Sequence, residues 1–297
     1  MDVVVVGSCN MDFIRYSRET VKGHKFTVGF GGKGSNQCIA AARLGAKTAM
    51  IAQVGNDKFG PDYIQNFRDN ENVGLVGDTS TGVATITVDM DGKNTIVIVS
   101  GANDLLNEAS VGQAENIIRS AKVMVCQLEI SPKTTLAAMT LAKKHGVTTI
   151  FNPAPAMTSL DPQLFVQADI TCPNESEAEM LTGEPVKSVE DAKKAVLSLL
   201  DMGCRAAIVT LGDQGAVLAT ATDRLPQHVP ARKVKAVDTT GAGDAFVGAL
   251  AFYRACYPNL ALHECVERAS EIATVSVQSP GTQTSYSYRR ELPQTLF

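Results

Sequence analysis

Tryptophan is absent from the 297 residues, and the four histidines (His24, His145, His228 and His263) are scattered without metal-ligand or triad spacing. The missing tryptophan bears on packing and not on function. The seven cysteines form an odd set with no CxxC pair, which argues against a zinc cluster or a disulfide framework. Reduced thiols in a cytoplasmic protein are the expectation, with the nucleus left open. No apolar run approaches the roughly 18 residues of a membrane span. Met1-Asp2 leads straight into Val3–Val6, a start too short and too acidic for a signal peptide. Basic residues are not in excess: 27 Lys and Arg face 31 Asp and Glu, so no field favours nucleic acid or an anionic membrane. GxxxxGK[ST], HRD and DFG are all missing, which excludes P-loop and protein kinases. Without repeats, low-complexity tracts or long linkers, one main domain over 1–297 is expected, with lid strands inserted at about 13–30 and 82–100.

What is present reads as α/β. The apolar share is 44% and the charged share 20%, ordinary for a globular chain. Val3–Val6, Thr48–Val54, Val123–Leu128, Thr148–Phe151, Ile170–Cys172 and Ala206–Leu211 are strand-like, and helical patterns over Val111–Ser120, Lys133–His145 and Val189–Met202 separate the later ones. That alternation predicts a doubly wound, mostly parallel sheet with helices on both faces. Thr81–Val88 and Asn94–Val99 flank Asp91-Gly92 and predict a hairpin; with the segment near Phe26–Phe30 they predict a small β-sheet lid.

Polar clusters follow the strands: Asn10 and Asp12, Glu129, Asn174 and Glu177, and Thr210-Leu211-Gly212. Open α/β sheets bind ligands at that edge. Near the end, a strand-like run Val234–Val237 feeds Asp238-Thr239-Thr240-Gly241-Ala242-Gly243-Asp244, and an apolar helical pattern follows from Ala245. A glycine turn opening a helix presents unpaired N–H groups to an anion. Asp244 is there either a helix cap or a carboxylate facing the bound group. Gly29, Gly31 and Gly34 satisfy GxGxxG, yet not at a first βα turn, so a dinucleotide-dependent oxidoreductase is a weaker reading.

Gly32-Lys33-Gly34-Ser35-Asn36-Gln37 and Asp238–Asp244 resemble the two signatures of PfkB-type carbohydrate kinases, with Asn10-Met11-Asp12, Gln127-Leu128-Glu129, Asn174–Glu177 and Thr210–Gly212 in the same order. The resemblance covers nearly the whole chain and implies transfer of the ATP γ-phosphoryl group to the 5-hydroxyl of D-ribose. It implies ribose contacts at Asn10, Asp12, Gly32, Lys33, Asn36 and Glu129. Asp244 would be the general base, with Gly241, Ala242 and Gly243 as the anion hole. Nucleotide contacts would come from Asn174, Thr210, Gly212, Gly215, Gly243 and Ser270. Glu177 would act indirectly on Mg²⁺, and Asp238, Thr240, Ser276, Ser279, Gly281 and Ser285 would hold an activating K⁺. The family also implies a homodimer through the lid.

Two departures stand out. After Asp12 only Arg18-Glu19-Thr20 remains of the element that introduces the lid, and Glu271 places a charge beside the expected adenine contact. The alternatives are a catalytically impaired sugar-binding protein of this fold and a kinase for a related pentose or nucleoside.

Overall fold

The computed structural model describes residues 1–17, 23–69, 75–76, 80–88 and 94–297. Val3–Val6 is buried on both faces, which is why it reads as an unbroken apolar run. Val3 and Val5 join one apolar cluster and Val4 and Val6 the other, as alternation along a strand requires. This strand pairs in parallel with Val123–Cys126 on one side and Thr48–Ile51 on the other. Thr148–Phe151, Ile170–Thr171 and Ala206–Thr210 continue the parallel run, and Ala216–Thr220 and Gln227–Val229 close the eight-stranded sheet antiparallel.

The helices Lys33–Arg43, Ala242–Cys256 and Leu262–Ser276 cover one face; Pro132–Lys144 and Val189–Asp201 cover the other. Ala242–Cys256 is apolar almost all round because it lies between the sheet and two helices. A Cβ on Gly248 would meet the Gln37 carbonyl oxygen at 2.5 Å and Ala40 Cβ at 2.6 Å. Only glycine lets these two helices approach so closely.

A second sheet of four strands has the order Gly23–Gly31, Asn10–Ser17, Gly82–Val88, Asn94–Val99. It is the small sheet expected from the hairpin pattern, although Asp91-Gly92 and Arg18-Glu19-Thr20 lie outside the described residues. Phe13 stacks on Phe26 and meets Phe59 edge-on, fixing the sheet to the helix Phe59–Asp69.

Three expectations need correction. Val234–Val237 is not a strand: the sheet edge ends at Val229 before Pro230, and the Val237 and Asp238 N–H groups instead donate to the Val277 carbonyl. Val111–Ser120 is two short helices, Glu108–Gln113 and Glu115–Ser120, which meet at Ala114. Thr48–Val54 divides at Ala52 into Thr48–Ile51 and Gln53–Val54, and the second piece pairs with Leu75–Val76.

Candidate active site

The polar residues collect at the carboxyl edge of the main sheet, where it meets the second sheet. Asn10 and Asp12 are not in a turn but open the strand Asn10–Ser17, with 1% and 4% of their surface exposed. Glu129 Oε2 accepts from Ser8 Oγ at 2.5 Å, from the Lys33 backbone N–H at 2.9 Å and from Asn10 Nδ2 at 3.4 Å. Glu129 forms no ion pair with a lysine side chain among the described residues. The Asn10 side chain is fixed in turn by Asn103, whose Nδ2 donates to Asn10 Oδ1 at 2.8 Å.

Burial, with Glu129 and Asp244 as neighbouring charges, pushes the Asp12 carboxyl up to about 8. Burial also lifts Glu177, against the pull of Lys33 and of the Asn174 N–H. For Lys33 burial works the other way, but Asp244, Glu129 and Glu177 outweigh it and raise its pKa. Lys33 is therefore a firmly charged ammonium among carboxylates.

Gly241 is the N-cap of Ala242–Cys256, with φ 77°, and Asp244 makes no capping bond to its own helix. Its Oδ2 accepts from Asn36 Nδ2 at 3.0 Å and its Oδ1 from Gln37 Nε2 at 2.9 Å. The helix-cap reading of Asp244 is excluded. Tyr286 Oη donates to the Gly241 carbonyl at 2.9 Å and so steadies the turn.

A cavity of ≈ 160 Å³ lies against this carboxylate, lined by Lys33, Glu177, Thr210, Gly241, Gly243 and Asp244 among others. A larger one of ≈ 470 Å³ shares Asn174, Thr210 and Gly243 with it and extends past Gly212, Gly215 and Ala242 to Ser270. All six expected nucleotide contacts line one or both cavities. Thr210 N donates to the Pro173 carbonyl at 3.0 Å, which binds the two polar strand ends together. Of the six expected sugar contacts only Lys33 lines the smaller cavity; Asn10 and Glu129 hydrogen-bond to each other, and Asn36 faces Asp244.

Glu177 serves partly as a helix cap. It closes a capping box in which its Oε2 accepts from the Asn174 N–H at 2.8 Å. No hydrogen bond engages its Oε1 among the described residues, and no three-residue cluster of metal-ligating side chains occurs there. That donor set suits a hard dication held through water and phosphate oxygens rather than in a protein cage.

Asp238 accepts from Thr240 N at 2.9 Å and from Gly281 N at 2.8 Å, which joins the two loops expected to hold a monovalent cation. The Ser276 and Ser285 hydroxyls donate to the carbonyls of Ala273 and Thr282. Ser279 is exposed, with its N–H bonded to the Ser276 carbonyl. The charge on Glu271 has an account: its Oε2 pairs with Arg232 Nε at 2.9 Å beside the larger cavity, which Arg232 lines.

Gln37, Asn152 and Gln283, none of them assigned a role from sequence, complete the site. Gln37 Nε2 donates to Asn152 Oδ1 at 3.0 Å, and Gln283 Nε2 donates to Ser35 Oγ at 2.9 Å and Asn36 Oδ1 at 3.1 Å. Asn152 was detectable as a polar residue one step past a strand; Gln283 carried no comparable signal.

A parallel α/β sheet with a polar cleft that opens into a larger cavity at a helix N-terminus is the frame of a small-molecule kinase. The chain belongs to the pfkB family of carbohydrate kinases, whose family model matches residues 1–289. It is 52% identical to the mouse (Mus musculus) ribokinase over 305 aligned residues, covering 99% of this chain and 94% of the mouse protein. It is 38% identical to the deoxyribokinase of Salmonella typhi, covering 96% of this chain and 95% of that one. The structure of Arabidopsis thaliana ribokinase complexed with ribose and ATP superposes with a TM-score of 0.88 at 29% identity, covering 99% of this chain and 98% of that one. No helix among the described residues is long and apolar enough to cross a membrane.

Proposed function

We propose that this chain transfers the γ-phosphoryl group of ATP to the 5-hydroxyl of D-ribose, with Asp244 as the base that takes the hydroxyl proton. The observation that carries this reading is Asp244 itself: a buried carboxylate with both oxygens on amide donors, at a helix N-terminus and beside a cavity that continues into a nucleotide-sized one. Phosphoryl transfer requires in-line positioning and neutralisation of charge on the transferred group. The N–H groups at Gly241–Gly243 and the Lys33 ammonium supply positive potential on the side where that charge develops. Asn10, Asp12, Gly32, Asn36 and Glu129 hold the sugar hydroxyls, and Gly212, Gly215 and Ser270 border the adenosine.

The carboxylates Glu129, Glu177 and Asp244 outnumber Lys33, so the cleft would repel a nucleoside triphosphate unless cations accompany it. Glu177 and Asn174 would orient the Mg²⁺ that accompanies ATP, and that ion would supply charge neutralisation. A K⁺ ion at Asp238 and Thr240, with carbonyls of Ser276, Ser279, Gly281 and Ser285, would order the turn from outside the reacting centre.

The chain acts as one unit in the cytoplasm, and the four-stranded sheet closes over the sugar as a lid. Its strands leave Phe26, Val97 and Val99 at 62%, 61% and 60% exposure, which supports a homodimer that covers them.

Coupled ADP release over ribose, 2-deoxyribose and adenosine, with and without K⁺, tests the assignment. Ribose turnover that falls by at least about 10²-fold in Asp244→Asn, with sugar affinity intact, is the expected result. No turnover on ribose, or an Asp244→Asn variant of normal rate, would overturn it.

A further inference from the structure

Gln37 touches neither cavity and is wholly buried, yet every polar atom of its amide is committed. Its Nε2 donates to Asp244 Oδ1 at 2.9 Å and to Asn152 Oδ1 at 3.0 Å, and its Oε1 accepts from Gln127 Nε2 at 2.5 Å. Both partners are anchored in their turn. Asn152 Nδ2 donates to the Cys172 carbonyl at 2.8 Å, and Gln127 lies one residue beyond the strand Val123–Cys126. From these contacts we infer that Gln37 is a positioning residue, which aims the Asp244 carboxylate at the acceptor hydroxyl. The inference rests on the reading of Asp244 as the base.

The orientation of the Gln37 amide follows from its neighbours. Turned over, its oxygen would face the Asp244 carboxylate and the Asn152 carbonyl oxygen together, two acceptors with no donor between them. Gln127 reaches Gln37 while its own buried Oε1 has no hydrogen-bond partner among the described residues.

A carboxylate on a helix can rotate about its terminal bond. With Gln37 on Oδ1 and Asn36 on Oδ2, that rotation is stopped from both sides. Each oxygen keeps lone-pair capacity for the hydroxyl. In the transfer, the hydroxyl proton passes to Asp244, the new O–P bond forms, and the bond from the γ-phosphorus to the bridging oxygen breaks, leaving ADP. Gln37 stays neutral throughout and exchanges no proton. Its contribution is geometric, and misplacing a reacting group by about 1 Å costs on the order of 10²-fold in rate.

The experiment is a double-mutant cycle in kcat on ribose and ATP, using the full chain. Gln37→Leu removes the amide at similar volume, and Gln37→Met keeps the chain length. Either is expected to lower kcat by roughly 10- to 100-fold, while the dissociation constants for ribose and for ATP, read by calorimetry, stay within about twofold. The double variant with Asp244→Asn should be no slower than Asp244→Asn alone, because a residue acting only through Asp244 has nothing left to position. Losses that multiply in the double variant, or an unchanged kcat in the single ones, would overturn the proposal. Failure of both Gln37 variants to fold, seen by thermal melting, would assign Gln37 to stability and also overturn it. If Asp244→Asn alone retains full activity, the base assignment falls instead, a result that does not depend on Gln37.

Discussion

Asp12 offers the sharpest quantitative test of the site's electrostatics. Its carboxyl is 4% exposed and is pushed from 3.8 to about 8, first by burial and then by the charges of Glu129 and Asp244. Between those two values the folded protein carries a proton that the unfolded chain has released. Stability then falls as pH rises, because the native state binds more protons than the unfolded one, by about 1.4 kcal/mol per pH unit for one full proton. The contribution is fully present below 3.8 and is lost by the time pH passes the folded value near 8. Asp12→Asn removes this dependence and leaves every other group in place.

Urea unfolding of both proteins at pH 5, 6 and 7 isolates Asp12, since shared titrations cancel in the difference. The variant should gain on the wild type by roughly 3 kcal/mol between pH 5 and pH 7, and the gain should level off above pH 8. Glu129→Gln, by removing one of the two neighbouring charges, should move that plateau to lower pH. A difference that stays flat from pH 5 to pH 8 would refute the reasoning, for it would mean that Asp12 ionises in the fold as it does in water.

Gly32→Ala should destabilise the protein and weaken ribose binding together. The position has φ 86°, and a Cβ there would lie 2.8 Å from the Asn10 nitrogen and 2.9 Å from the Ser8 carbonyl oxygen. The backbone penalty at this positive φ is on the order of 1–3 kcal/mol, so a melting temperature within a degree of wild type would contradict this. Glu271→Ala should barely register in stability: its ion pair with Arg232 is half-exposed and worth less than about 1 kcal/mol. The KM for ATP should move by less than about threefold, and a change beyond tenfold would show that the pair belongs to the nucleotide site.

The main sheet was legible because strands buried on both faces leave apolar runs that little else explains. Val3–Val6, Thr148–Phe151 and Ala206–Thr210 fall within a residue of the pattern-based limits. The failures share one cause, which is that periodicity records burial and not hydrogen bonding. Val111, Ala114 and Ile118 are buried at helical spacing on either side of a break, so the pattern runs through it unchanged. Val234 and Ala236 line the larger cavity, so their apolar character belongs to that wall and not to a sheet. A strand needs a free edge to pair with, and Pro230 ends the approach to the one at Gln227–Val229.

The site divides along a similar line. Charged and glycine-rich clusters that follow strands were legible in order, since the ligand edge of a parallel sheet is fixed by its topology. Their amide supports were not. Gln37 and Asp244 are 207 residues apart, and Gln283 and Asn36 are 247 apart. An amide can donate or accept almost anywhere, so its sequence position says nothing about which carboxylate it will meet. The same separation explains why the local turn could not distinguish a cap from a base. Both readings place Asp244 in the first turn of a helix, and both tolerate the glycines before it. The difference lies in where its donors come from: a capping residue is satisfied by its own helix, whereas Asp244 is satisfied entirely by the neighbouring helix, brought within reach by the close approach at Gly248. A carboxylate held from across a helix pair is free of duty to its own backbone, and so is available to a ligand.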